Sequence, residues 1–91
     1  MFHVLKLTYL QPPDVIEHTR PAHLAWLQDE IATGRLILAG RQTDQSGGVL
    51  ITADIGDDEA DNVIASDPYQ RAGVASYERI TFNGAFRAPG L

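Results

Sequence analysis

Histidine side chains are the groups in this sequence best suited to moving protons. The chain has three of them, His3, His18 and His23, and no cysteine. An imidazole titrates near neutral pH and can both accept and return a proton, so one oriented histidine can support elimination or isomerisation of a small molecule. Thiol catalysis, iron–sulfur clusters and cysteine-ligated zinc all need the missing residue type and are excluded. The sequence therefore favours acid–base chemistry.

A metal site is not expected from these histidines. His18 follows Asp14 by four residues, but two ligands on a segment predicted to be irregular make a poor site. His18 and His23 are five residues apart, which places them off a common helical face. Gly47-Gly48 is expected to form a turn and not a phosphate-binding loop, since no P-loop lysine accompanies it. The sequence predicts neither a metal nor another cofactor.

Four residues are candidates for a site, and each also has a structural explanation. His23 falls at the edge of the buried face of a predicted helix, a position that by itself favours a structural histidine capped by a neighbour. Asp67 precedes Pro68, and aspartate before proline commonly forms a turn whose side chain satisfies backbone N–H groups. Arg20 could bind a carboxylate or phenolate, or be a solvated charge. Tyr69 could donate a hydrogen bond into a pocket, or simply pack.

The elements that would position these residues follow the order β-α-β-β-α-β. The predicted ranges are a strand at 2–10, a short turn at 14–19, a helix at 21–34, strands at 35–41 and 49–55 joined by a turn, a helix starting at 57–59, and a last strand within 74–86. Because the residue before a proline avoids the helical region, Pro21 is expected to begin the main helix. That helix should bury a stripe formed by Leu24, Leu27 and Ile31, with Trp26 away from it.

This order is that of an α+β, ferredoxin-like fold, with a four-stranded antiparallel sheet and both helices on one face. Residues 1–91 are expected to form one such domain. His3, which alternates with apolar residues, is expected to be structural and to lie at the sheet edge. Candidates for the open face of the sheet are Val4, Lys6, Thr8, Thr52 or Ile51, and Thr81. That face is too apolar to stay bare in so small a domain, so the fold is expected to dimerise through it.

Composition and charge narrow the range of partners. The 91 residues are 44% hydrophobic and 21% charged, as in ordinary globular proteins, and 7 Lys+Arg against 12 Asp+Glu give a formal charge of −5. Nucleic acid and anionic membranes are not expected as partners, because the cations are few and scattered. The chain is expected to be cytoplasmic. The expected partners are a small-molecule ligand and a second copy of the chain.

Three segments together resemble the YciI-like (YCII-related) family, over nearly the whole chain and in the family's order. They are Arg20–Leu27 (RPAHLAWL), Gly34–Gly40 (GRLILAG), and Ser66–Tyr69 (SDPY) with Ala72–Val74 (AGV). The resemblance implies a dimeric α/β-barrel with an active site centred on a histidine and an aspartate, which by motif are His23 and Asp67. Most members of the family have no established reaction, and the exception that the resemblance implies is dehydrochlorination of a chlorinated hydroxyquinone-type ring. Arg41 stands where the family often has proline, which implies a different charge at the pocket rim.

Two functions from different classes follow from this resemblance and from the chemistry of its residues. In the first, the chain is a cofactor-free lyase or isomerase that uses His23 as base and acid and Asp67 as its orienting partner. A small organic acid or aromatic substrate would be bound by Arg20 and Tyr69. In the second, the same pocket holds a small ligand without reaction, or the domain serves only as an accessory dimerisation module. A hydrogen bond from His23 to Asp67 beside an open pocket would favour the enzyme.

Overall fold

A computed structural model describes all residues from 1 to 91. Its elements are β1 (Phe2–Tyr9), α1 (Pro13–Thr33), β2 (Leu36–Arg41), β3 (Gly47–Thr52), α2 (Asp57–Ser66), α3 (Pro68–Arg71) and β4 (Ala75–Phe82). The four strands form one antiparallel sheet in the order β2-β3-β1-β4. The ferredoxin-like, α+β prediction is confirmed, and the short helix α3 is an addition to it.

The core lies between one face of the sheet and the helices. Alternation along β1 turns Leu5 and Leu7 toward the helices, where they are buried, while Lys6 on the opposite face is exposed. Ile16 from α1 and Val63 from α2 pack into the same cluster. Burial of this apolar surface on one side of the sheet is what holds both helices there.

Helix α1 is continuous, so the predicted break at Pro21 is wrong. The helix runs from Pro13 to Thr33 with Pro21 inside it. Pro13 is the proline that opens the helix, at a first-turn position where its missing N–H costs nothing. An interior proline costs a helix about 3 kcal/mol in isolation. Here both halves are anchored in the core, the first by Ile16 and the second by His23, and this packing outweighs the penalty.

The continuous helix also shifts the buried stripe. Ile16, His23 and Glu30, spaced seven residues apart, are the buried residues of α1, whereas Leu24 and Ile31 are 42% and 44% exposed. The predicted stripe is therefore wrong by one residue, or about 100° of rotation. Buried Glu30 is paired with Arg35, whose Nε donates to Oε2 at 2.7 Å. That hydrogen bond raises the pKa of Arg35, against the opposing effect of burial.

The pairing of residues across the sheet corrects two further expectations. Thr81 and Thr52 face the helices and bond His3: the Thr81 hydroxyl lies 2.8 Å from Nδ1, and the Thr52 hydroxyl accepts from the His3 amide at 3.0 Å. His3 is structural as predicted, but it is fully buried on the central strand β1 and not at an edge. Ile51, and not Thr52, therefore lies on the open face. Strand pairing places with it Val4, Lys6, Thr8, Leu38, Val49, Glu78, Ile80 and Phe82.

Candidate active site

The carboxylate of Asp67 is the fixed centre of the site. Asp67 lies between α2 and α3 with extended backbone angles, because the following Pro68 prevents it from continuing the helix. Its Oδ1 accepts a hydrogen bond from the Tyr69 amide at 3.0 Å, so it caps α3. The side chain is fully buried. The turn-forming role considered for Asp67 is thus present in the structure.

His23 binds this carboxylate directly. Its Nδ1 lies 2.7 Å from Oδ1 of Asp67, although 44 residues separate the two in the chain. A carboxylate that already accepts from an amide N–H can only accept again, so Nδ1 of His23 carries the hydrogen and donates it. The unshared electron pair of the neutral ring is then on Nε2. No protein group bonds Nε2, and the ring lines a cavity, so the basic nitrogen is open to a ligand.

Tyr77 is a third member of the cluster that sequence reasoning missed. Its phenol donates a hydrogen bond to Oδ2 of Asp67, leaving both oxygens of the carboxylate bonded. Burial, followed by the negative charge of Asp67, raises the pKa of Tyr77, so the phenol keeps its proton. The alternation of β4 puts Tyr77 on the helix-facing side with Ala75, which is the signal that could have found it.

Two aromatic rings fix the plane of the imidazole. The Tyr69 ring stacks on His23 at 4.1 Å between centroids with 18° between planes, and Trp26 lies 5.5 Å away on a tilted plane. Burial raises the pKa of Tyr69 to about 12, so its hydroxyl stays neutral. Trp26, predicted to lie off the buried face, is half-buried, and its Nε1 donates to the Ser66 hydroxyl at 2.8 Å. This bond ties α1 to the end of α2, next to the aspartate.

A cavity of about 200 Å³ opens beside the histidine, between α1 and the sheet. An engineered protein cavity of about 150 Å³ holds benzene, so this one fits a single small ring. Its walls are mostly apolar, and its polar side chains are those of Tyr9, Arg20, His23, Arg41 and Tyr69. The other lining residues are Leu7, Leu24, Leu27, Ala39, Gly40, Gly48 and Leu50.

The structure brings the four predicted site residues together. His23, Arg20 and Tyr69 line the cavity, and Asp67 lies behind His23 and is not itself a lining residue. His18 is exposed on α1 and is not among the cavity residues. No group of three or more histidine and carboxylate side chains is placed to hold a metal ion. None of the helices has both the length and the apolar composition needed to cross a bilayer.

Tyr77→Phe tests the buried cluster through stability. In the folded protein the pKa values of Tyr69 and Tyr77 are raised, while an unfolded tyrosine ionises near pH 10, so stability should be lost as the pH rises above about 10. The variant should be less stable at neutral pH by about 1–3 kcal/mol, because Asp67 loses a donor. Between neutral and alkaline pH, Tyr77→Phe should also lose less stability than the wild type, because it lacks the Tyr77 phenol. Urea unfolding at several pH values measures both effects, and an equal alkaline loss in the two proteins would contradict the burial of the Tyr77 phenol.

Comparisons with known proteins come from sequence and from structure. The family model of the YCII-related domain matches residues 1–83. A "12 kDa protein" of Mycolicibacterium smegmatis is 71% identical over 24 residues, which are 26% of this chain and 100% of that sequence. The structure of 5-chloro-2-hydroxyhydroquinone dehydrochlorinase from Burkholderia phenoliruptrix AC1100, in complex with 2,5-dihydroxybenzoquinone, matches with a TM-score of 0.73 and 22% identity. That match covers 91% of this chain and 94% of the dehydrochlorinase. Because its model spans all seven secondary-structure elements, the chain belongs to the YCII-related family.

Proposed function

We propose that this protein is a cofactor-free enzyme of the lyase or isomerase type, in which His23 and Asp67 move a proton on a small organic acid or aromatic compound. The observation that carries the proposal is the 2.7 Å bond from Nδ1 of His23 to Asp67, with Nε2 left open on a ring-sized cavity. A histidine with one nitrogen bound to a buried carboxylate and the other facing a pocket has the arrangement of a general base.

The two nitrogens of His23 have different roles in this proton transfer. Nε2 takes a proton from a C–H next to a carbonyl, or from a ring hydroxyl, and the electron pair is held on the oxygen atom. The resulting imidazolium keeps its Nδ1–H bond to Asp67, and the carboxylate stabilises the new positive charge. In an isomerisation Nε2 returns the proton to another atom of the same ligand. In a dehydrochlorination of a chlorinated hydroxyhydroquinone, the ring first takes a proton on the carbon that carries chlorine. Nε2 then removes the proton of a ring hydroxyl, whose electrons form a carbonyl and, through the adjacent ring double bond, expel chloride; the proton passes to solvent.

The remaining cavity residues orient the ligand. Arg20, one-third exposed at the cavity rim, is suited to a carboxylate or phenolate oxygen. Tyr69 holds the imidazole in place by stacking, and its hydroxyl is neutral and able to donate a hydrogen bond. The similarity of fold to the dehydrochlorinase supports a hydroxyquinone-type ring as the first substrate class to test.

Two assays test this function directly. Chloride release from 5-chloro-2-hydroxyhydroquinone is followed with a chloride electrode, and deuterium uptake from heavy water by small enolisable ring ketones and lactones is followed by proton NMR. We expect saturable activity with at least one of these compounds. If every compound reacts no faster than in buffer while some of them bind, the protein is the non-catalytic ligand-binding module and not an enzyme.

We also propose that the protein is a homodimer joined through the open face of the sheet. Leu38 and Ile80 on this face are 62% and 66% exposed in the single chain, which is unusual for large apolar residues on a sheet. Lys6 and Glu78 lie directly opposite each other in the middle of the face. One cation and one anion make the centre of the face self-complementary under the two-fold symmetry of a dimer.

Ile80→Lys is expected to split this dimer. Sedimentation should give twice the mass of one chain for the wild type at micromolar concentration and one chain mass for the variant, because two new ammonium groups would be buried in the interface. Ile31→Lys, an equal change on α1 away from the sheet, should remain dimeric. A wild-type protein that sediments as a monomer, or a dimer that survives Ile80→Lys, would show that the open face is not the interface.

A further inference from the structure

Two guanidinium groups meet at the mouth of the cavity. Arg20 comes from α1 and Arg41 from the end of β2, and both side chains line the cavity while about one-third exposed. The Arg41 guanidinium also lies 6.0 Å from the centre of the Tyr9 ring. Arg20 and Arg41 are the cationic side chains that line the cavity. The mouth is thus more positive than expected for a protein with a net charge of −5.

A single carboxylate partly neutralises this pair from outside the cavity. Oε1 of Glu17 lies 3.3 Å from Arg20 and 3.7 Å from Arg41. Glu17 is 57% exposed and lines a separate groove of about 310 Å³, which shares Tyr9 and Arg41 with the cavity. Exposed ion pairs of this length contribute little stability. The inner sides of both guanidinium groups therefore remain available to a ligand, and one positive charge is left uncompensated.

We propose that the cavity selects a small ring compound carrying one anionic group, bound by Arg20 and Arg41, with Glu17 as a built-in counter-ion that weakens anion binding. This inference rests on the proposed function and names the substrate class of the same site. An anion between the guanidinium groups forms charge-assisted hydrogen bonds beside apolar walls, where water competes less than it does for Glu17. The same two cations lie near the negative charge that develops on the ligand when Nε2 of His23 removes a proton.

Arg41 is the residue that makes this site different from one with Arg20 alone. Arg20 by itself would be balanced by Glu17, because the two charges are equal and opposite. Arg41 adds the second cation and reaches the cavity from the opposite wall, on β2. The positive charge of the empty mouth, and with it the preference for an anion, therefore depends on Arg41.

Calorimetric titration with two matched probes tests the charge preference. The probes are 2,5-dihydroxybenzoate and 2,5-dihydroxybenzamide, which have nearly the same shape but differ by one negative charge. We expect the wild type to bind the carboxylate about tenfold more tightly than the amide, with a preference that shrinks as salt is added. Equal affinity for both probes, or no binding of either at millimolar concentration, would overturn the inference.

Substitutions at the cavity mouth measure the effects of Arg41 and Glu17 on binding separately. Arg41→Gln should weaken carboxylate binding about tenfold and leave amide binding nearly unchanged. Glu17→Gln should strengthen carboxylate binding by about three- to tenfold, since a nearby negative charge is lost while the side chain keeps its shape. Arg71→Gln and Asp29→Asn are controls that change the net charge equally at exposed positions outside the cavity. An effect of these controls as large as that of Arg41→Gln or Glu17→Gln would show that only net charge matters.

The proposed function and this inference fail in different ways. The probes measure binding without turnover, so the preference for the carboxylate should survive in His23→Gln even though no proton can then be moved. If proton transfer is absent but Arg41→Gln still removes the carboxylate preference, the anion site is correct and the catalytic proposal is wrong. If proton transfer occurs but the two probes bind equally well, the catalytic proposal is correct and the anion site is wrong.

Discussion

We expect His23→Gln to lower the rate of chloride release or deuterium exchange by about 100- to 10,000-fold. Glutamine has nearly the size of histidine and can still bond Asp67, but it has no nitrogen with a free electron pair to take a proton. The loss should appear in the maximal rate more than in the Michaelis constant, because the ligand contacts proposed for Arg20 and Tyr69 would remain. His18→Gln is the matched control, since it makes the same change on the same helix at an exposed position and should keep the wild-type rate.

Asp67→Asn should cost less than His23→Gln but should still lower the rate. The amide cannot stabilise the imidazolium as the carboxylate does, and it no longer sets which ring nitrogen carries the hydrogen. Nitrogen-15 NMR of the imidazole tests the second point, because the wild-type ring should carry its hydrogen on Nδ1 and the variant ring should give a mixture.

If His23→Gln retains activity within about threefold of the wild type, a change too small for loss of a general base, His23 is not the base.

The order of the elements along the chain and the faces of β1 could be predicted because they depend on local sequence patterns. His3, Leu5 and Leu7 alternate with exposed or half-exposed residues, and the same alternation sets their side of the sheet. The limits of α1 could not be predicted in this way. The rule that a residue before proline avoids the helix is a local preference, and here the burial of Ile16 and His23 on either side of Pro21 overrides it.

The site was only partly predictable, because its bonds join distant parts of the chain. Family motifs identified His23 and Asp67, whereas the spacing of 44 residues between them indicates no contact by itself. Tyr77 belongs to no motif, and its bond to Asp67 depends on how β4 packs under α3. The sequence indicates that Arg41 changes the charge at the rim. That Glu17 pairs with both Arg20 and Arg41 depends on the folded positions of α1 and β2.

The glycine pair at the start of β3 shows a different kind of error. The sequence predicts a turn at Gly47 and Gly48, yet the turn residue with a left-handed backbone is Gln45, at φ 62°. Asp44 supports this turn by accepting hydrogen bonds from the amide and the hydroxyl of Ser46. Gly47 and Gly48 are strand residues, paired with Thr8 and Leu7 of β1. Close approach of the two backbones, and not a turn, explains why glycine is needed here.

Gly47→Ala is therefore expected to destabilise the protein by about 3 kcal/mol or more, near the upper end of the cost of forcing an extra group into a packed site. A Cβ at this position would overlap the carbonyl oxygen of Leu7, which is backbone and cannot rotate away. The strands β1 and β3 would have to separate at the point where Gly48 and Leu7 line the cavity. A domain of this size has a total stability of about 5–14 kcal/mol, so the loss is a large fraction of it.

Two neighbouring glycines supply the controls for this prediction. At Gly40 an added Cβ meets nothing within 4 Å, so Gly40→Ala should change stability by less than about 1 kcal/mol. At Gly48 an added Cβ lies 3.2 Å from the Gly40 carbonyl oxygen, and Gly48→Ala should have an intermediate effect. Urea unfolding followed by Trp26 fluorescence ranks the three variants. The reverse order, with Gly40→Ala the most damaging, would mean that the flexibility of the chain and not the space between β1 and β3 determines the need for glycine.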